Sequence, residues 1–112
     1  MANSYRRGYS YENYMAKRTG GERVGLRGKS AVDVQNENKW LAIECKERKT
    51  AVKWVEGAMC QAEAAVARGE GELAIVAIHW LGENHDKDLI VCRLADWEAN
   101  FGWGSKGVVG ED

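Results

Sequence analysis

The stretch Ala31-Val32-Asp33-Val34-Gln35, the polar turn Asn36-Glu37-Asn38-Lys39 and the segment Trp40-Leu41-Ala42-Ile43-Glu44-Cys45-Lys46 decide how this chain is read. Val32 and Val34 fall on one parity while Ala31, Asp33 and Gln35 fall on the other, the period of a half-buried strand. The same period of two puts Leu41, Ile43 and Cys45 on one face and Ala42, Glu44 and Lys46 on the opposite one. The two segments predict a hairpin whose polar face carries Asp33, Glu44 and Lys46.

On the N-terminal side, a first helix is expected to begin between Ser4 and Ser10, either of which can cap it, and to stop at Gly20-Gly21. Residues 22–28 read as a short strand and a basic, glycine-punctuated loop. On the C-terminal side, Val52, Val55, Ala58, Met59, Ala62, Ala65 and Val66 recur at spacings of three and four, an amphipathic helix capped by Thr50 and ended by Gly69 and Gly71. The continuous apolar run 73–78 reads as a central strand covered on both faces. A turn over 82–88 leads to a strand over 89–94, and Asp96 caps a short helix through Phe101. This order predicts an α/β fold: one mixed central sheet of about five strands flanked by helices, with 1–101 as a single domain and 102–112 as a flexible tail.

The chain has 112 residues, enough for one modest core, and its 45% hydrophobic and 29% charged content excludes a disordered protein. No apolar run approaches the roughly 18 residues that span a bilayer, so no membrane partner is expected. The polar, aromatic opening lacks the apolar region of a secretory leader, which makes the cytoplasm the expected compartment. Proline is absent, so turns fall to the 13 glycines and to Asn and Asp. Cys45, Cys60 and Cys92 have neither C-x-x-C nor zinc-ligand spacing and read as reduced, mostly buried thiols. His79 and His85 lack a paired ligand set and lie outside the carboxylate-bearing strands, so no metal is assigned to them. The five tryptophans (40, 54, 80, 97 and 103) read as core or interface filler, with Trp80 and Trp97 suited to a dimer interface.

The net charge of -1 conceals a segregation: residues 1–30 carry seven Lys/Arg against two Glu, whereas residues 54–112 carry four basic and eleven acidic side chains. Local field, not net charge, governs attraction to phosphate. A basic first third therefore suits a polyanion, although a solvated charged surface has the same composition.

On the hairpin, Asp33 and Glu44 offer the hard oxygen ligands that Mg²⁺ takes alongside water and phosphate oxygens. Such an ion lowers the pKa of bound water and neutralises charge developing on phosphate. Lys46 is placed to orient the attacking water or to stabilise the transition-state anion. Cys45, on the opposite parity, would contribute only its backbone carbonyl to the metal. A hairpin with solvated charges produces the same D-x10-E-x-K spacing.

Val32-Asp33, then Ala42-Ile43-Glu44-Cys45-Lys46, then basic Arg48-Lys49 and a helix, resembles the core of the PD-(D/E)XK nuclease superfamily, with Val32 in place of the motif's proline. Arg6-Arg7-Gly8-Tyr9-Ser10-Tyr11-Glu12 is similar to the basic-glycine-x-x-x-glutamate opening of archaeal-type Holliday junction resolvases, whose first-helix glutamate completes the metal site. The loop ending Gly28-Lys29-Ser30 resembles that family's serine-containing loop. The resemblance spans about residues 4–94 in element order, with its specific motifs at 6–12 and 28–48. It implies a restriction-endonuclease-like fold and a homodimer that nicks four-way DNA junctions using Mg²⁺, with Mn²⁺ as a substitute. Glu12, Asp33, Glu44 and the Cys45 carbonyl would be metal ligands, and Lys46 and Ser30 would be active-site residues. Arg6, Arg7, Arg23, Arg27, Lys29, Arg48, Lys49 and Lys53 are the expected DNA contacts. A chain this compact also suits a bacteriophage, acting in the host cytoplasm. The alternatives are another nuclease of the superfamily, acting on flaps, forks or specific sequences, and a non-catalytic DNA-binding module of the same fold.

Overall fold

The computed structural model describes residues 2–24, 32–35 and 41–103, with side chains in the first helix from Ser10 onward. It shows a mixed α/β protein that divides into two compact units, residues 1–49 with 103–112 and residues 50–102. No helix among the described residues is long and apolar enough to cross a membrane.

The first unit is a helix on a small sheet. Helix α1 (Ala2–Thr19) is followed by β1 (Glu22–Arg23), β2 (Val34–Gln35) and β3 (Ala42–Ile43). It starts earlier than either serine cap predicts and ends where expected. Gly20 takes φ 69°, the left-handed conformation glycine adopts without steric cost. There Gly20 N–H donates to the Lys17 carbonyl and Gly21 N–H to that of Ala16, at 3.3 and 2.8 Å, a Schellman closure. Lys17 and Arg18 occupy the last turn, where cations oppose the helix dipole.

Among the described side chains of α1, Met15, Ala16 and Thr19 are buried, and the helix packs on β1 and β2. Glu12 lies three and four residues before Met15 and Ala16, so helical spacing brings it to this inward face. The strands are antiparallel in the order β1-β2-β3, with Val34 opposite Ile43 and Gln35 opposite Ala42. Val34 is fully buried, and exposure alternates from Leu41 through Lys46, as the hairpin reading predicts. The polar turn 36–39 and Trp40 lie outside the described residues.

The second unit contains α2 (Lys53–Ala67), β4 (Val76–Ile78), a single 3-10 turn (His85–Lys87), β5 (Leu89–Val91) and α3 (Leu94–Asn100). Helix α2 begins at an extended Val52 with no side-chain cap, so Thr50 does not cap it. It ends as predicted: Gly69 has φ 86°, and Gly69 and Glu70 N–H donate to the Val66 and Ala65 carbonyls at 3.0 and 2.9 Å. Met59 is buried on its inner side, and the helix packs on β4. Helix α3 is entered from Arg93, with Asp96 inside its first turn and not at the cap.

The expected sheet of about five strands is divided, among the described residues, into the three-stranded sheet and an antiparallel β4-β5 pair. The run 73–78 contributes only three paired residues, and Ile75 and Ala77 are exposed, so this strand is not covered on both faces. The strand expected over 89–94 ends at Val91 because α3 begins at Leu94. Trp54 and Trp80 are exposed and do not fill a core; Trp97 tilts against Phe101 with ring centroids 4.8 Å apart.

Candidate active site

The β2-β3 register places Asp33, one residue before β2, across from Glu44, one residue after β3. Gln35 and Ala42 face each other in the ladder, so by the strand period Asp33 and Glu44 share their face. Asp33 is held on two sides. Its backbone carbonyl accepts from Val24 N–H at 2.9 Å, and its Oδ2 accepts from Cys45 N–H at 2.7 Å. A carboxylate that accepts from backbone N–H is fixed in direction as well as place.

Glu12 reaches the sheet from α1. Its Oε1 accepts from Arg23 Nε at 2.6 Å, both side chains being mostly buried. Arg23 is thus engaged by a carboxylate in the structure, a position that sequence reasoning assigned to phosphate contact. Glu44 Oε2 and Lys46 Nζ pair at 3.0 Å on the open side of the hairpin, each more than half exposed. The hydrogen bond to Glu44 is the main cause that raises the Lys46 pKa, so the side chain is an ammonium at neutral pH. Lys46 can act here as a cation and donor, not as a base.

Cys45 reports the field these groups create. Burial pushes its thiol up to about 11, and Asp33, Glu12 and Glu44 push in the same direction, with Lys46 opposing them. All four residues singled out from the sequence lie within electrostatic reach of one sulfur, and their balance there is negative. The thiol was expected to pack away from them in the core; it is half-buried beside them. Tyr11, one residue before Glu12, is drawn in with the set: burial raises its hydroxyl pKa, and Cys45 adds to the shift.

The donor chemistry fits Mg²⁺, being carboxylate oxygen from three separate elements, with Asp33 and Glu44 in direct register. Arg48 is exposed and donates to the Glu47 carbonyl, and Lys49 is exposed beside it. Arg6 and Arg7 lie in α1, and Lys53 opens α2 in the other unit. Arg27, Lys29 and Ser30 lie outside the described residues.

Among the described residues, the one group of three or more His, Cys, Asp or Glu whose ligand atoms all lie within 4.8 Å of one another is His79, His85 and Asp88. Glu12, Asp33 and Glu44 do not form such a group. The expectation that the histidines lack a paired ligand set is corrected: Asp88 pairs with both. The available signal was that His79 ends one apolar run and Asp88 precedes the next, which a hairpin brings together. The three thiols are free, as expected, but none is buried, and Cys60 is exposed.

Comparison with protein families, with curated proteins and with solved structures finds no match to the chain.

Proposed function

We propose that this chain is a Mg²⁺-dependent DNA endonuclease of the PD-(D/E)XK type that resolves four-way junctions by paired phosphodiester hydrolysis. The observation that carries the reading is the register that sets Asp33 across from Glu44 at the ends of β2 and β3, with Asp33 held by Cys45 N–H and Lys46 paired with Glu44. A pure binding surface for DNA gains nothing from three carboxylates, which repel phosphate unless a cation sits between them.

In this reading Glu12, Asp33, Glu44 and the Cys45 carbonyl hold the ion. Bound there, it would lower the pKa of a water and neutralise charge developing on phosphate. The chain's own contributions are more specific. Asp33, fixed by Cys45 N–H, sets the position of the ligand set, and Glu12 completes it from the helix. Lys46 supplies a fixed positive charge to the phosphoryl oxygens. Arg6, Arg7, Arg48 and Lys49 supply the basic surface near the hairpin in sequence, with Arg27, Lys29 and Ser30 preceding Asp33 in the chain and Lys53 following it. The reading carries with it the restriction-endonuclease-like fold and a homodimer, since paired nicks need two sites.

One observation favours a second reading, a non-catalytic DNA-binding module. Arg23 already neutralises Glu12, and Lys46 already neutralises Glu44. The discriminating experiment is incubation of the purified protein with an end-labelled immobile four-way junction, and with duplex, single-stranded and flap DNA of matching sequence, in Mg²⁺ or EDTA. Paired Mg²⁺-dependent nicks near the branch point are expected. Cleavage confined to another substrate would keep the chemistry and change the target; binding without cleavage of any substrate would establish the second reading.

A further inference from the structure

A cluster of metal-ligating side chains outside the hairpin lies in the other unit, where β4 turns into β5. Ile78 pairs with Leu89, so the next pair outward is His79 with Asp88, facing each other at the end of the ladder. His85 enters from the 3-10 turn between them. That turn is held by its own hydrogen bonds: Asn84 Oδ1 accepts from Asp86 N–H at 2.8 Å, and Asp88 N–H donates to the His85 carbonyl at 2.9 Å. The backbone therefore fixes all three residues before any ligand binds.

Their side chains converge. His79 Nδ1 lies 2.6 Å from Asp88 Oδ1, and His85 Nδ1 lies 3.1 Å from Asp88 Oδ2. The two imidazole rings sit 4.2 Å apart, tilted by 31°. Metal bonds of about 2.0–2.1 Å in tetrahedral geometry set neighbouring donor atoms roughly 3.4 Å apart. The two nitrogen–oxygen separations, 2.6 and 3.1 Å, are shorter than that value, and one ligand atom from each residue lies within 4.8 Å of the other two, so a small outward shift of the side chains admits an ion. Two imidazole nitrogens and one carboxylate oxygen select zinc or a similar late transition ion over Mg²⁺ and Ca²⁺, which take oxygen ligands.

We infer that His79, His85 and Asp88 form a zinc site that clips the β4–β5 connection. Three protein ligands leave a fourth position, and the His85 side chain is 80% exposed, so water or an external donor can reach the ion. The site is separate from the carboxylate set of the hairpin and does not depend on the nuclease reading. An ion bound to the folded chain stabilises it by mass action.

The test is a zinc titration of the full chain, read as bound zinc per chain and as thermal midpoint, with Co²⁺ as the spectroscopic probe. One equivalent of saturable zinc, a raised midpoint, and a cobalt spectrum without a thiolate charge-transfer band are expected. His85→Ala removes an exposed ring from outside any strand. It should weaken zinc binding by more than about 10-fold, the lower end of what losing even an outer-shell partner costs. Asp88→Asn should weaken it as well, while Asp33→Asn and Glu44→Gln leave it unchanged. Absence of saturable binding, a cobalt–thiolate band, or zinc binding that survives His85→Ala and Asp88→Asn but is lost in Asp33→Asn would overturn the inference.

Discussion

The two units handle carboxylates in opposite ways. In the second, Glu56 and Glu63 lie two turns apart on one side of α2, and a single guanidinium takes both. Arg93 donates to Glu56 at 3.0 and 2.9 Å and to Glu63 at 3.0 and 3.3 Å. Arg93 sits at the entrance to α3, so the network ties that helix to α2. In the first unit, the carboxylates come from a helix and two strand ends, and their donors differ: Arg23, the Cys45 N–H and Lys46. Anions gathered by one arginine form a closed structural joint. Anions that come from separate elements with different donors, beside a half-buried thiol, are what the proposed function assigns to a cation.

The largest effect that can break this comparison is on cleavage. Lys46→Ala should reduce Mg²⁺-dependent junction cleavage by at least about 100-fold, the scale of losing one preorganised electrostatic contact, with junction binding retained. Arg93→Ala, assayed where the protein stays folded, should leave the cleavage rate near wild type. Equal losses in the two variants would erase the distinction between site and joint.

The next effect is on stability. Met59 is 2% exposed in the second unit, and Met59→Ala should cost about 2–5 kcal/mol through lost contacts and the cavity left behind, as urea unfolding can measure. A cost well under 1 kcal/mol would show that this core is loosely packed.

A smaller, pH-dependent effect sharpens the account of the joint. Hydrogen bonding to Arg93, with its charge, holds the Glu56 carboxyl below its ordinary value of 4.5. Because the folded value is the lower one, the contribution is fully present above the unfolded value and is lost as pH falls through the folded one. The stability gap between wild type and Arg93→Ala should therefore be constant near neutrality and shrink as pH falls below the ordinary carboxyl value of 4.5. Screening of these exposed side chains keeps the gap small. A gap that widens in acid would reverse the assignment.

The hairpin of the first unit and the helix ends of both units were legible because local rules were obeyed there. The alternation through Val34 and from Leu41 to Lys46 gave the hairpin and its polar face, and Gly20 and Gly69 marked helix ends that require a left-handed residue. Helix starts were less legible. Polar residues predict caps at Ser4 or Ser10, Thr50 and Asp96, whereas α2 and α3 open from Val52 and Arg93 without side-chain caps. The run 73–78 misled because continuous hydrophobicity signals burial without saying how many neighbours a strand has; Ile75 and Ala77 stand exposed beside a two-stranded ladder. Arg23 with Glu12, and His79 with His85 and Asp88, were hidden for different reasons. The Arg23–Glu12 pair is set by tertiary placement, which spacing along the chain does not encode, and the histidine cluster shows only once the 73–78 and 89–94 runs are paired as a hairpin in register.

Cys45 gives the most direct reading of the central claim, that the hairpin carboxylates hold a divalent cation. Its thiol, pushed up to about 11 by burial and then by Asp33, Glu12 and Glu44, titrates in the field that such an ion would change. Alkylation of Cys45, followed by peptide mass spectrometry against pH, measures that titration with Cys60 as an exposed internal reference. Mg²⁺ should move the Cys45 profile to lower pH relative to EDTA, while the part of the shift due to burial remains. Asp33→Asn should abolish the response. A Cys45 profile that is the same in Mg²⁺ and EDTA would contradict the account.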